Sequence, residues 1–195
     1  MPPMDSSIRA RKTELRRHVR AQMVQLSQPS REEASARACA LLEQQDLWVK
    51  AKTVLLYAPL GTELNIWRLL ERALAAGKVA ALPRFDPETN RYNARRVKDA
   101  GLDLEPGRYG VREPRGSAEL VALNRLDFIL APGVAYDLSG RRLGRGQGYY
   151  DQLLAAARGT ACGVAFDEQI VREVPVEPHD SDVNCILTPT RWIEL

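Results

Sequence analysis

TVLLYAP, residues 53–59, decides the fold class because it is a short, unbroken apolar run. A strand that is buried on both faces has this composition, and such strands form parallel sheets with helices on both sides. Similar runs predict four more buried strands, at 79–85, 127–133, 161–166 and 184–189. The more polar segment RYNARRV, residues 91–97, predicts a strand at the edge of the sheet.

Helical spacing of apolar residues separates these runs. Leu15, Val19, Met23 and Leu26 form one stripe of a helix over 8–26. Ser30 and Glu33 have the spacing of a capping box and predict a helix over 31–49. Two more helices are predicted over 63–76, ending at Gly77, and over 148–158, whereas the Gly-, Pro- and charge-rich segment 99–116 predicts a loop.

Strands that alternate with helices predict an α/β fold. We expect a single three-layer α/β/α domain over 1–195, Rossmann-like, with a mainly parallel sheet. Ligands of such sheets bind beyond the carboxyl ends of the strands. The loops after 59, 85, 133 and 166 should therefore meet there, and they bring Glu63, Arg84, Tyr136 and Asp167.

Composition is that of an ordinary globular protein: 195 residues, 45% apolar and 27% charged. The net charge of +3 is compatible with a small anionic ligand and with nucleic acid alike. Three widely spaced cysteines with no Cys/His cluster indicate reduced thiols and no zinc site. No apolar run is long enough to span a membrane and the N-terminus lacks a signal-peptide core, so we expect a cytoplasmic protein.

The stretch RRLGRGQGYYDQLL, residues 141–154, places three glycines at alternate positions before a predicted helix. Glycines admit left-handed backbone and close approach of a ligand, and helix N-termini bind anions. Arg142 and Arg145 add charged hydrogen-bond donors. We therefore interpret 140–151 as a phosphate loop, although it matches neither the Walker A nor the dinucleotide motif. A flexible surface loop is the alternative.

Two flanking features have both a plain and a functional interpretation. Asp151, in the first turn of the predicted helix, could stabilise the helix dipole or hold Mg²⁺ on a phosphate. Lys12, Arg16 and Arg20 form a basic ridge on the N-terminal helix. The pattern alone favours a solvated face for this ridge, but like charges four residues apart would gain from a nearby anion.

These residues resemble a known family. APGVAYDLSGRRLGRGQGYYDQLL, residues 131–154, is similar to the signature of the 5-formyltetrahydrofolate cyclo-ligases, also called methenyltetrahydrofolate synthetases. This motif is long and specific, and the similarity covers most of the chain. Weaker matches of the same type and order are KTELRR (12–17), LPRF (82–85), RYGVREP (108–114) and VPVEPHDSDVNCILTP (174–189).

The resemblance implies a reaction and its partners. Members of the family use ATP and Mg²⁺ to convert 5-formyltetrahydrofolate to 5,10-methenyltetrahydrofolate, ADP and phosphate. The formyl oxygen is phosphorylated, N10 of the folate attacks the activated carbon, and phosphate leaves. The implied partners are small molecules; we expect a monomer, and neither a membrane nor nucleic acid as a partner.

The resemblance also implies site residues. Arg145 and Tyr150 would be catalytic, and Asp151 and Asp180 would hold Mg²⁺. The nucleotide would contact Lys12, Arg16, Arg142, Leu143, Gly144, Arg145, Gly146, Gln147, Gly148, Tyr149 and Tyr150. The folate would contact Glu63, Tyr109, Arg145, Gly146, Gln147, Gly148 and Tyr149. Three positions depart from the family pattern, namely Gln147 in place of Lys or Gly, Asn65 in place of Thr and Asn184 in place of Asp.

A second hypothesis is a non-catalytic nucleotide- or RNA-binding protein on the same fold. The basic N-terminal helix and the arginine-rich RYNARR, residues 91–96, favour it. The lack of an RNP-like or KH-like motif opposes it. The presence of both Asp151 and Asp180 favours catalysis, because a module that only binds RNA has little need of two acids beside a phosphate.

Overall fold

The computed structural model of the chain describes residues 4–107 and 110–195. It contains an eight-stranded sheet. In chain order, the strands of this sheet are β1 (Thr53–Leu55), β2 (Val79–Asp86), β3 (Arg91–Val97), β6 (Leu120–Val121), β7 (Phe128–Pro132), β10 (Thr160–Val164), β11 (Cys185–Leu187) and β12 (Trp192–Glu194). Their order across the sheet is β12-β11-β10-β7-β1-β2-β3-β6. The two remaining pairs are the hairpins β4 (Leu104–Pro106) with β5 (Arg112–Pro114), and β8 (Ala135–Tyr136) with β9 (Arg142–Leu143).

The centre of the sheet is parallel and its margins are antiparallel. β11, β10, β7, β1 and β2 pair in parallel. β12 at one margin, and β3 and β6 at the other, pair antiparallel. The five buried apolar runs are thus the five parallel strands, as predicted. β3 is not an edge strand, because β6 pairs with its outer side and takes the edge position.

Helices cover both faces of the sheet. The helices are α1 (Met4–Val24), α2 (Gln28–Glu43), α3 (Asp46–Lys50), α4 (Trp67–Ala75) and α5 (Tyr149–Ala156). Val54 and Leu56 pack with α1 to α4 on one face, while Leu55 packs with Leu153 of α5 on the other. Val54, Leu55 and Leu56 are all fully buried, which explains the unbroken apolar run. The three-layer α/β prediction is confirmed.

Several predicted boundaries are wrong, and local capping explains the one at the start of α2. α2 begins at Gln28 because Ser27, not Ser30, accepts a hydrogen bond as the N-cap, with Pro29 in the first turn. The predicted helix over 31–49 is interrupted at Gln44 and Gln45. α4 begins only at Trp67, which leaves Glu63 in a loop. Its predicted end at Gly77 is confirmed to within one residue, because the helix ends at Ala75 and Gly77 has a φ of +71°. The predicted loop over 99–116 contains the hairpin β4–β5.

Tyr136 is in the core, not at the ligand-binding edge where the sequence predicted it. Its side chain is fully buried, and its hydroxyl donates to Ala131 O at 2.6 Å. Gly163 of β10 makes room for this ring, because a Cβ there would lie 2.4 Å from Tyr136 Cε1. Asp167 also lies away from the loop at 144–148, with Thr190 and Arg191 as its partners.

Candidate functional site

The glycine loop leaves a short strand and enters a helix. β9 ends at Leu143, the loop follows over 144–148, and α5 begins at Tyr149. Gly146 and Gly148 have φ of +105° and +70°, the left-handed region that glycine tolerates best. Gly144 is small for another reason, because a Cβ there would lie 3.2 Å from Arg142 Nη1. The predicted start of the helix is confirmed to within one residue.

Residues of this loop line two cavities of similar size. One, which we call the aromatic cavity, encloses about 390 Å³ and is lined by Tyr57, Ala58, Leu60, Glu63, Pro83, Tyr92, Val111, Glu113, Pro132, Arg142, Gly144, Arg145, Gln147, Gly148, Tyr149, Tyr150 and Asp151. The other, the cationic cavity, encloses about 410 Å³ and is lined by Arg9, Lys12, Thr13, Arg16, Leu143, Gly144, Gly146, Gly148, Asp151, Glu177, His179 and Asp180. The loop is a wall shared by both.

Glu63 is one of three acidic residues that line the aromatic cavity. Its side chain is only 8% exposed, and Leu60 N donates to its Oε2 at 2.8 Å. Arg145 Nη2 lies 2.7 Å from Oε1, so the glycine loop is tied to Glu63 by an ion pair. Arg145 itself is 44% exposed. It lines the aromatic cavity with Glu63, not the cationic cavity.

Aromatic rings form one wall of this cavity. Tyr149 lies against Phe85 and Tyr92, with ring centroids 5.4 and 5.2 Å apart in edge-to-face geometry. Tyr92 also approaches Tyr150 at 6.2 Å. Burial, and secondarily the Glu63 carboxylate, raises the pKa of Tyr150 well above its ordinary value. The Tyr150 hydroxyl therefore stays protonated at neutral pH and can donate a hydrogen bond but not act as a base.

Arg142 and Asp151 form a buried ion pair beneath the loop. Arg142 Nη2 lies 2.6 Å from Asp151 Oδ1, with side-chain exposures of 2% and 14%. Arg142 Nη1 donates to Pro132 O at 3.2 Å, and Ser181 N donates to the same Asp151 Oδ1 at 3.2 Å. Arg142 is therefore placed against Asp151 and the aromatic cavity, away from the lining of the cationic cavity.

The cationic cavity is built on α1. Lys12 Nζ lies 2.6 Å from Asp180 Oδ2 and 2.7 Å from Glu177 Oε2. Arg16 Nε donates to Gly144 O at 2.9 Å, and burial lowers the pKa of this guanidinium. Lys12 is buried and Arg16 half-buried, so this part of the basic ridge is not a solvated face, whereas Arg20 is exposed.

A set of possible metal ligands lies in the same cavity. One ligand atom each from Glu177, His179 and Asp180 lies within 4.8 Å of the others. Asp151 lines this cavity too, but it is outside that group. Sequence reasoning named Asp151 and Asp180 and missed Glu177, although Glu177 lies only three residues before Asp180 in the quoted tail motif.

The structure brings most of the predicted residues to the two cavities, with exceptions. Tyr109 lies outside the described residues. Arg84 pairs with Glu105 at 2.7 Å, outside both linings. The departures Asn65 and Asn184 have local roles, since their side chains accept from Trp67 N at 3.1 Å and Ala161 N at 2.8 Å. Five residues that line the cavities were not predicted from the sequence, namely Tyr57, Tyr92, Glu113, Arg9 and Thr13. Arg9 and Thr13 could have been found, because they share a helical face with Lys12 and Arg16.

The fold and the site define the class of protein, a mainly parallel α/β enzyme with a glycine loop at a helix N-terminus. Comparison with known proteins gives the family. The sequence profile of the 5-formyltetrahydrofolate cyclo-ligase family matches residues 8–189, and the chain belongs to this family of ligases.

Individual relatives agree with this assignment. The chain is 36% identical to the 5-formyltetrahydrofolate cyclo-ligase of Mycolicibacterium smegmatis, over 75% of this chain and 78% of that one. It is 31% identical to the Escherichia coli protein of the same name, over 73% and 81%. The NMR structure of Aquifex aeolicus 5,10-methenyltetrahydrofolate synthetase superposes with a TM-score of 0.85 at 34% identity, covering 94% of this chain and 92% of that one.

Among the described residues, the structure contains no helix that is both long enough and apolar enough to cross a membrane.

Proposed function

We propose that this chain cyclises 5-formyltetrahydrofolate to 5,10-methenyltetrahydrofolate, with ATP and Mg²⁺, and releases ADP and phosphate. One observation carries the proposal: residues of the glycine loop line both a cavity walled by tyrosines and a second cavity that combines basic residues with carboxylates. A reaction between two bound molecules needs such neighbouring sites, because positioning supplies much of the rate.

The aromatic cavity is the proposed folate site. The pterin ring carries amino and ring N–H donors, which suit the Glu63 carboxylate. Tyr92 and Tyr149 line this cavity and offer ring faces and edges against which an aromatic substrate packs. Because Arg145 pairs with Glu63, folate entry has to displace this guanidinium. Gln147 and Gly148 line the same cavity and are proposed folate contacts.

The cationic cavity is the proposed triphosphate site. Lys12 and Arg16 supply positive charge, and Gly148, the N-cap of α5, lines this cavity, where the N-terminus of a helix favours an anion. The donor set also fits Mg²⁺, which prefers carboxylate oxygens. Asp180 and Glu177 already surround the Lys12 ammonium, and Asp151 offers its Oδ2, which makes no hydrogen bond within the described part of the chain. When bound, Mg²⁺ supplies charge neutralisation on the phosphates.

The chain's own residues then serve phosphoryl transfer mainly by position and charge. The formyl oxygen attacks the γ-phosphorus and ADP leaves; N10 attacks the activated carbon and loses its proton, and phosphate leaves with the former formyl oxygen. Arg145 is flanked in the sequence by two glycines, which leave its side chain room to move. Once displaced from Glu63, its guanidinium stabilises the transferring phosphoryl group. Tyr150 stays protonated and donates a hydrogen bond near the reacting atoms. Arg142 holds Asp151 in place.

RNA binding has less support from the geometry. Arg95 Nη1 donates to Ala118 O at 2.6 Å, and Arg96 pairs with Glu119 at 3.3 Å. The arginines of RYNARR are thus largely engaged in holding β3 to the edge of the sheet. A single domain over 1–195, a monomeric state and a cytoplasmic location stay predictions of the sequence.

The test is an absorbance assay for the methenyl product with purified protein, 5-formyltetrahydrofolate, ATP and Mg²⁺. We expect product only when both ATP and Mg²⁺ are present, and no product after EDTA is added. Product that forms equally well with EDTA would remove the metal from the proposal, and no product under any condition would remove the reaction.

A further inference from the structure

The loop that carries Glu63 is fastened to one face of α2. Arg31, Ser35 and Cys39 lie four residues apart and therefore share one face of this helix. Each of the three side chains makes a hydrogen bond to the backbone of residues 61–65. None of the three lines the aromatic or the cationic cavity.

Arg31 makes the most extensive of these contacts. Its Nη1 donates to Gly61 O at 3.0 Å, two residues before Glu63. Its Nε donates to Leu26 O at 3.1 Å, and its Nη2 donates to Met23 O. The guanidinium therefore satisfies carbonyls at the end of α1 and joins them to the Glu63 loop. The planar fork of arginine suits three carbonyls in this way, and a lysine ammonium does not.

Ser35 and Cys39 hold the other end of the loop. Ser35 Oγ accepts from Asn65 N at 2.9 Å and donates to Arg31 O at 2.7 Å. Cys39 Sγ lies 3.7 Å from Asn65 O. Behind the loop, Tyr57 donates its buried hydroxyl to Leu64 O at 2.9 Å. The backbone on both sides of Glu63 is thus fixed, although the loop has no regular secondary structure.

We propose that Arg31, with Ser35, is a positioning residue for folate, which acts through Glu63 by fixing the backbone that carries its carboxylate. This inference rests on the proposed folate role of Glu63. The effect should fall on folate rather than on ATP. Arg16 lies about 10 Å from Met23 along α1, toward the N-terminus, and burial of Val19 and Met23 fixes that helix independently. Glu63 is only two residues from the carbonyl that Arg31 holds.

The experiment compares steady-state constants of the full chain and its variants. Arg31→Ala should raise the KM for 5-formyltetrahydrofolate about tenfold, the usual scale for a lost charged hydrogen bond, and change the KM for ATP less than about twofold. Arg31→Lys should recover part of the loss, and Ser35→Ala should show a smaller shift in the same direction. Arg37→Ala, an exposed position on the same helix, is the matched control and should leave both constants unchanged.

A double variant distinguishes positioning from general stability. In a Glu63→Gln background, Arg31→Ala should have little further effect on the folate KM, because the group that it positions is already altered. Equal rises in both KM values, or a full Arg31 effect in the Glu63→Gln background, would overturn the inference. If Arg31→Ala does not fold, Arg31→Lys and Ser35→Ala provide the same comparison. If the wild-type chain is active and these variants keep a normal KM for folate, the inference is wrong but the proposed function stands. If the wild-type chain neither forms product nor binds 5-formyltetrahydrofolate, the proposed function is wrong as well.

Discussion

Arg142→Met is the substitution whose effect the structure determines most sharply. It removes the guanidinium that lies 2.6 Å from Asp151 and keeps an unbranched side chain of similar length. Among the described residues, the Asp151 carboxylate, 14% exposed, would then keep one hydrogen bond, from Ser181 N to its Oδ1. Loss of one member of a buried ion pair leaves a charge without a counterion, and this is more costly than loss of the pair.

The magnitude follows from the burial of each partner. Breaking a buried pair costs about 3–5 kcal/mol of unfolding free energy. The lower end applies here, because Asp151 borders both cavities and Arg142 Nε is buried with no hydrogen-bond partner among the described residues. A loss of about 3 kcal/mol corresponds to a fall in Tm of about 6–12 °C for a chain of 195 residues.

The assay is a double-mutant cycle by denaturant unfolding. Asp151→Asn alone leaves the buried arginine without its anion and should cost a similar amount. Arg142→Met/Asp151→Asn leaves no buried charge, so it should be more stable than the sum of the two single losses by about 2 kcal/mol. Strictly additive single effects, or a loss below about 1 kcal/mol for Arg142→Met, would refute this reasoning.

Three further outcomes are expected. Arg145→Ala should lower kcat/KM by about 10² to 10³. It should lower Tm less than Arg142→Met does, because Arg145 is 44% exposed and Glu63 keeps its hydrogen bond from Leu60 N; near-normal kinetics would exclude a catalytic role. Cys39, Cys162 and Cys185 should resist alkylation in the native state, because all three are buried and burial raises the pKa of Cys39 to about 11; rapid modification of the folded protein would contradict this. Gly163→Ala should destabilise the fold by about 1–3 kcal/mol through contact with Tyr136, whereas Gly61→Ala, with open space at its Cβ, should not; equal melts would contradict the packing.

The fold was largely predictable because its strongest signal is local. An unbroken apolar run such as TVLLYAP can be covered on both faces only inside a helix–sheet–helix sandwich, so five such runs fixed the class. The edge assignment of RYNARRV failed because β6 is only two residues long and its pairing depends on contacts distant in sequence. The start of α2 was missed because Ser27 and Ser30 are both acceptable N-caps.

The glycine loop of the site was predictable because its backbone conformation and the start of the following helix depend on residues within one short segment. The left-handed Gly146 and Gly148, and the helix start at Tyr149, follow from local backbone physics. Partner choice did not follow: Arg142 and Arg145 look equivalent in the sequence, yet one is buried against Asp151 and the other reaches Glu63 across 82 residues. Such pairings depend on how distant loops meet, which the spacing of residues in one segment does not specify.

Transfer of the formyl oxygen tests the central claim most directly. 5-Formyltetrahydrofolate labelled with ¹⁸O in its formyl group would be incubated with the protein, ATP and Mg²⁺, and the phosphate released would be examined by mass spectrometry. If the formyl oxygen is phosphorylated before N10 attacks, the label should appear in inorganic phosphate, with one methenyl product formed for each ADP. Methenyl product accompanied by unlabelled phosphate, or ADP released without methenyl product, would contradict the account.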